Sequence, residues 1–217
     1  MKIDHGERSL SATFMALLIE DVIAARGRLN GSQNESARRD VVRASVAAME
    51  GSTWVARKHV RGALSDVGRL SPLAELAFRE LSYSVSDTGQ IRERVQALSL
   101  LTVVRLIVAQ AKIICPEMEV DFSTSGWSDL RETVAIRNRI THPKIGQPLG
   151  ISDKDLAIVG SALAWLVATV EIVMSSTNSA MAQHNRDLRD TLDRLRAGDA
   201  DALAEYRVAL GASDEDE

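Results

Sequence analysis

An all-α fold, a helical bundle of four to five main helices with short extra helices, is what this sequence predicts. Apolar residues recur at three- and four-residue spacing along most of the chain. Aromatic residues make up only 4%, which leaves the packing to Leu, Val, Ile and Ala. No pair of strand-like runs joined by turn chemistry stands out.

Between Leu10 and Arg28 the residues Phe14, Leu17, Leu18, Asp21, Val22 and Ala25 follow helical spacing, and the polar run Leu29-Asn30-Gly31-Ser32-Gln33-Asn34 breaks that helix. A second, long helix is expected from about Glu35 to about Val67, with Val41, Val42, Ala44, Ser45, Ala48, Ser52, Val55 and His59 inward. Ser71 caps a short helix opened by Pro72, which carries Leu73, Leu76, Ala77 and Leu81. Ser82 to Gly89 reads as a turn or loop.

The next helix is expected to start near Ile91. From Val95 to Ile114 it is apolar almost all round, which predicts a central, buried helix. Arg105 in its middle then needs a partner. Glu50 and Glu171, which interrupt apolar runs, are candidate partners for Arg105 or Arg137. Pro116 ends this helix, and the next runs from Trp127 to about Thr141. His142-Pro143 stops it, because a residue before proline is pushed out of helical geometry. Lys144 to Gly150 is a loop. Ser152-Asp153-Lys154-Asp155 has the form of a capping box with Asp for Glu. The helix it opens extends toward Leu195, with Ser175-Ser176-Thr177-Asn178 as the place where it would break. Asp201 to Leu210 forms a last short helix.

The chain of 217 residues is read as one helical domain over residues 1–211, followed by an acidic solvated tail at 212–217. Net charge is -4, so any nucleic-acid surface must be local. The single cysteine forbids an intrachain disulfide, and no apolar leader stands at the N-terminus, so the cytoplasm is the expected location. Leu156 to Val170 lacks charge but is shorter than the ~20 residues of a membrane span, which favours a buried helix. A membrane-associated helical protein is the reading this argues against.

Gly-rich phosphate loops, His-Glu-x-x-His and Cys-x-x-Cys are absent, and the 4 histidines are dispersed, so neither a metal site nor a cofactor is expected. The informative segment runs from Trp127 to Lys144. Leu130, Val134 and Asn138 succeed one another at four-residue spacing, Thr141 continues the row, and Arg137 adjoins it. On this reading an apolar stripe gives way to polar groups at the end of the helix. Histidine exchanges protons near neutral pH, and arginine offers a planar fork for phosphate. Asparagine orients either by hydrogen bonding. Taken in isolation, these residues read first as a helix cap and stop.

Together, Arg137-Asn138-x-x-x-His142 resembles the Arg-x(4–6)-His signature of the HEPN superfamily, including the polar residue after the arginine. The resemblance spans about residues 35–175. It implies a helical bundle that dimerises with the two motifs facing across a shared cleft, and a metal-independent endoribonuclease without cofactors. In that scheme the ribose 2′-OH attacks the adjacent phosphate and leaves a 2′,3′-cyclic phosphate. His142 would handle the proton, Arg137 would stabilise the phosphorane charge, and Asn138 would hold the geometry. Arg139, Lys144, Arg57 and Lys58 are candidate RNA-binding residues, the last two in a basic cluster with His59 and Arg61. Many members are toxins with an antitoxin partner or phage-defence effectors. The alternative is a catalytically silent HEPN-type module that binds RNA, nucleotides or a protein such as a nucleotidyltransferase. Trp54, Trp127 and Trp165 read as core before stacking platforms, and Cys115 as structural.

Overall fold

The computed structural model describes residues 5–146 and 148–209, with side chains from Thr13 onward. The acidic tail therefore lies outside the described residues. The elements are α1 (His5–Ser32), α2 (Glu35–Asp66), α3 (Pro72–Phe78), β1 (Leu81–Val85), β2 (Ile91–Val95), α4 (Leu100–Ile114), α5 (Ser125–Thr141), α6 (Asp153–Arg196) and α7 (Ala200–Ala209). The fold is all-α apart from one hairpin.

Helix α2 is the hub, packing against α1, α4, α5 and α6. Its start is fixed by Asn34, whose side-chain oxygen accepts the Ala37 N–H at 2.8 Å. Its inner stripe includes Val42, Ser45, Met49, Ser52, Ala56, Val60 and Leu64, small residues alternating with large ones. Helix α6 supplies the facing stripe of Val159, Ala162, Leu166, Val170 and Val173. Among the described residues α6 is the one helix long and apolar enough to cross a membrane by length and composition. That stripe lies in the bundle core.

Several expected boundaries hold and several move. Ser71 accepts the Ala74 N–H at 3.1 Å, and Pro72 opens α3 as expected. The capping box of α6 is formed in both directions: Ser152 Oγ accepts the Asp155 N–H at 3.1 Å, and Asp155 Oδ2 accepts the Ser152 N–H at 2.9 Å. The break expected across Leu29–Asn34 shrinks to Gln33 and Asn34. Ser32 Oγ donates back to the Arg28 carbonyl at 3.0 Å within the helix, and Gln33 ends it with φ 50°. No break occurs at Ser175–Asn178 either. Ser175 and Thr177 hydroxyls donate to the Ile172 and Val173 carbonyls at 3.2 and 2.8 Å, which seats polar residues inside a continuous helix.

The segment expected as loop and helix start is an antiparallel hairpin, with Leu81 opposite Val95, Tyr83 opposite Glu93 and Val85 opposite Ile91. Gly89 turns it with φ 77°, and the Ser86 N–H donates to the Gln90 carbonyl at 2.9 Å. Tyr83, Val85, Ile91 and Val95 share one face and are exposed. Glu80 ties the hairpin base to the bundle. Its carboxylate accepts the Leu98 N–H at 3.2 Å and lies 3.1 Å from Arg57 of α2.

Helix α4 thus begins nine residues after the expected start and is amphipathic, not apolar all round. Val103, Val104, Ile107, Val108 and Ala111 face inward, while Arg105 and Lys112 face outward. Arg105 is exposed and needs no buried carboxylate. Its guanidinium carbon sits 4.7 Å from the Phe122 ring centroid and 4.9 Å from that of Trp127. Cys115 caps α4, and burial pushes its thiol up, away from the reactive thiolate.

Candidate active site

Helix α5 carries the motif and is locked at both ends. At its start, a Cβ on Gly126 would come within 2.5 Å of the Trp165 side chain, so only glycine allows this approach of α5 to α6. Trp127, Leu130, Thr133, Ile136 and Ile140 form the buried side. At its end, Arg139 donates to Asp155 Oδ2 at 3.2 Å and to the Gly150 carbonyl at 3.3 Å. Burial opposes the charge on Asp155, but hydrogen bonds from Ser152 and the Arg139 cation outweigh it and lower its pKa. Glu35 and Arg38 of α2 grip the same loop, Glu35 Oε2 accepting the Ile151 N–H at 3.1 Å and Arg38 reaching Asp153 at 2.7 Å.

The motif sits beside the apolar stripe, not at its end. Asn138 and Thr141 are exposed, Val134 is half-buried, and the stripe continues to Ile140. The expected row through Leu130, Val134, Asn138 and Thr141 is thereby corrected. Arg137 points across to α2, where its guanidinium lies 3.6 Å from Glu50 Oε1. Glu50 was one of two carboxylates expected as a partner, and Glu171 is exposed elsewhere on α6.

Asn138 touches Arg137 through its side chain and meets His142 through an ordinary main-chain helical bond. Its side-chain oxygen accepts from Arg137 at 3.2 Å, and its main-chain carbonyl accepts the His142 N–H at 2.9 Å. His142 is the C-cap of α5 with φ -123° and ψ 65°, out of helical geometry as Pro143 requires. Its imidazole is exposed. The arrangement offers a cationic donor fork and a solvent-accessible imidazole at one helix end.

The other candidate RNA-binding residues divide. Arg139 is half-buried and committed to the α5–α6 junction, and Arg57 is committed to Glu80. Lys144 is exposed in the loop after the motif. Lys58 Nζ stands 4.9 Å from the Trp54 ring centroid. His59 leaves the basic cluster, lying 2.7 Å from Thr177 Oγ1 between α2 and α6. Arg61 forms a forked pair with Glu75 at 2.6 Å.

Trp127 and Trp165 pack with Phe122, but Trp54 is 45% exposed and is not core. Its place four residues after Glu50 was the available signal. Among the described residues no group of three or more His, Cys, Asp or Glu is placed to hold a metal ion. An open cleft of about 300 Å³ between α3 and the hairpin, lined by Leu73, Leu76, Tyr83 and Leu98, includes no motif residue.

Fold and site define an all-α bundle protein with a half-buried arginine, an exposed asparagine and an exposed histidine at one helix end, the arginine braced by a carboxylate of the hub helix. Comparisons with protein-family models, with curated proteins and with solved structures each found no match.

Proposed function

We propose that the protein is a HEPN-type endoribonuclease that works without a metal as a homodimer, either the toxin of a toxin–antitoxin pair or a phage-defence effector. The observation that carries this reading is the meeting at one helix end of Arg137, hydrogen-bonded to the Asn138 side chain, with the exposed imidazole of His142. A helix end built only to stop would not need an arginine, its orienting amide and an exposed imidazole within six residues.

In the proposed reaction His142 takes the proton of a ribose 2′-OH, and the 2′-oxygen attacks the adjacent phosphorus. Arg137 donates to the phosphoryl oxygens as charge builds on them. The bond from phosphorus to the 5′-oxygen breaks, and that oxygen leaves with a proton from the imidazole of the second copy. The products are a 2′,3′-cyclic phosphate and a 5′-OH. Asn138 and His142 are exposed and Arg137 half-buried beside them, so a second copy facing them would supply the opposite wall of the cleft.

The silent-module reading draws support from Glu50, which already occupies Arg137. That pair is weak enough for a phosphate to break. A half-exposed ion pair contributes about 0–1 kcal/mol, whereas a charge-assisted fork onto phosphate is stronger, so substrate can displace the carboxylate. Controlled expression tests the proposal: the wild-type chain should arrest growth, and His142→Ala should not. Equal growth with both, at equal soluble protein, would leave the silent module standing.

A further inference from the structure

We propose that Trp54 is the nucleobase platform of the candidate site, stacking one unpaired base of single-stranded RNA while Lys58 moves onto the neighbouring phosphate. The inference rests on the ribonuclease reading and adds to it the substrate class, an unpaired strand, and the group that holds it.

Three observations converge. Trp54 is 45% exposed, while Trp127 is 7% exposed and Trp165 half-buried. It lies one helical turn along α2 from Glu50, about 5–6 Å away at Cβ, and Glu50 lies 3.6 Å from Arg137. It is also held in place: Phe14 of α1 packs against it with ring centroids 6.0 Å apart at 64°. A supported, exposed indole is pre-organised for stacking.

Lys58 decides between kinds of partner. Its Nζ lies 4.9 Å from the Trp54 centroid. The centre of a protein–protein seam is depleted in lysine, whereas an aromatic platform flanked by a cation is what a stacked base and its phosphate require. A base stacked on the indole is a stronger contact than an exposed cation over it. Bases within a duplex are already stacked and paired, which restricts the platform to single strands, loops or bulges.

The experiment uses the full-length protein and a fluorescein-labelled single-stranded RNA of mixed sequence, with affinity read by anisotropy in a His142→Ala background that prevents cleavage. Trp54→Ala should weaken binding by roughly 5- to 150-fold, with melting temperature and light-scattering mass unchanged, and Trp54→Phe should restore most of it. In the cleaving protein the same Trp54→Ala change should raise KM more than it lowers kcat. Weakened binding in a protein whose wild type never cleaves RNA would support the platform and remove the ribonuclease reading. Undiminished binding by Trp54→Ala in a protein that does cleave would overturn the platform alone. A changed oligomeric mass in Trp54→Ala would also overturn it, by assigning the indole to a seam between copies.

Discussion

The Glu50 carboxylate approaches the Arg137 guanidinium to 3.6 Å, so the helix that anchors the bundle also braces the motif. Both side chains are partly exposed, at 52% and 35%, which limits the pair to about 0–1 kcal/mol of stability. Its consequence is orientation, because Arg137 is held between Glu50 and Asn138.

Arg137→Ala should therefore melt within a few degrees of wild type. It should lose cleavage by roughly 10²–10³, the usual effect of removing one donor to a developing oxyanion. Arg137→Lys should recover little, since it keeps the charge and loses the fork. Thermal melts and an RNA cleavage assay on the two variants check both statements.

Core variants of the same helix should behave oppositely. Leu130 is fully buried, so Leu130→Ala should cost about 2–5 kcal/mol. Gly126→Ala would drive a methyl group into Trp165 and should cost about 1–3 kcal/mol by overpacking. Denaturant unfolding gives both numbers. Cleavage per folded molecule should stay near wild type.

How the sequence discloses this helix is instructive. Its span and stop were legible, because Pro143 acts on the residue before it. The row drawn through Leu130, Val134 and Asn138 misleads for a geometric reason. Four residues overshoot a 3.6-residue turn by about 40°, so two steps carry Asn138 off the buried stripe. The hairpin was hidden differently: Ile91 and Val95 suit a helix at four-residue spacing and a strand at two. Pairing with Val85 and Leu81 decides between them, and that contact is not local. Arg105 looked buried because its neighbours along the chain are apolar, and the rings it rests on, Phe122 and Trp127, come from later in the chain. The double capping of α6 was legible because all its partners lie within four residues.

Acid should loosen two junctions, that of α5 with α6 and that of the hairpin with α2. The pKa of Asp155 is lowered in the fold: burial opposes this, but Ser152 and Arg139 prevail. Glu80 is lowered likewise, burial again opposing and the Leu98 N–H and Arg57 prevailing. A carboxylate with a depressed folded pKa contributes stability that is complete above its unfolded value, near 4. The contribution fades as pH falls through the folded value. Stability should thus be flat with respect to these groups above about pH 5 and drop below it. Asp155→Asn should make that acid limb shallower in urea melts taken between pH 3 and 7.

Metal dependence offers an independent check. RNA cleavage by Arg137 and His142 needs only donors and a proton carrier, so excess EDTA should leave the rate of purified protein unchanged. Restoration by Mg²⁺ of an activity lost to chelator would assign the cleavage to other chemistry.

Chemical identification of the RNA ends tests the central claim most directly. Purified wild-type protein, incubated with a defined single-stranded RNA, should yield 2′,3′-cyclic phosphate and 5′-OH termini by mass spectrometry. His142→Ala, folded to the same melting temperature, should fall by about 10²–10⁴ in rate. Equal cleavage by the two proteins, or 3′-OH and 5′-phosphate ends, would contradict the account and reduce His142 to the cap that ends α5.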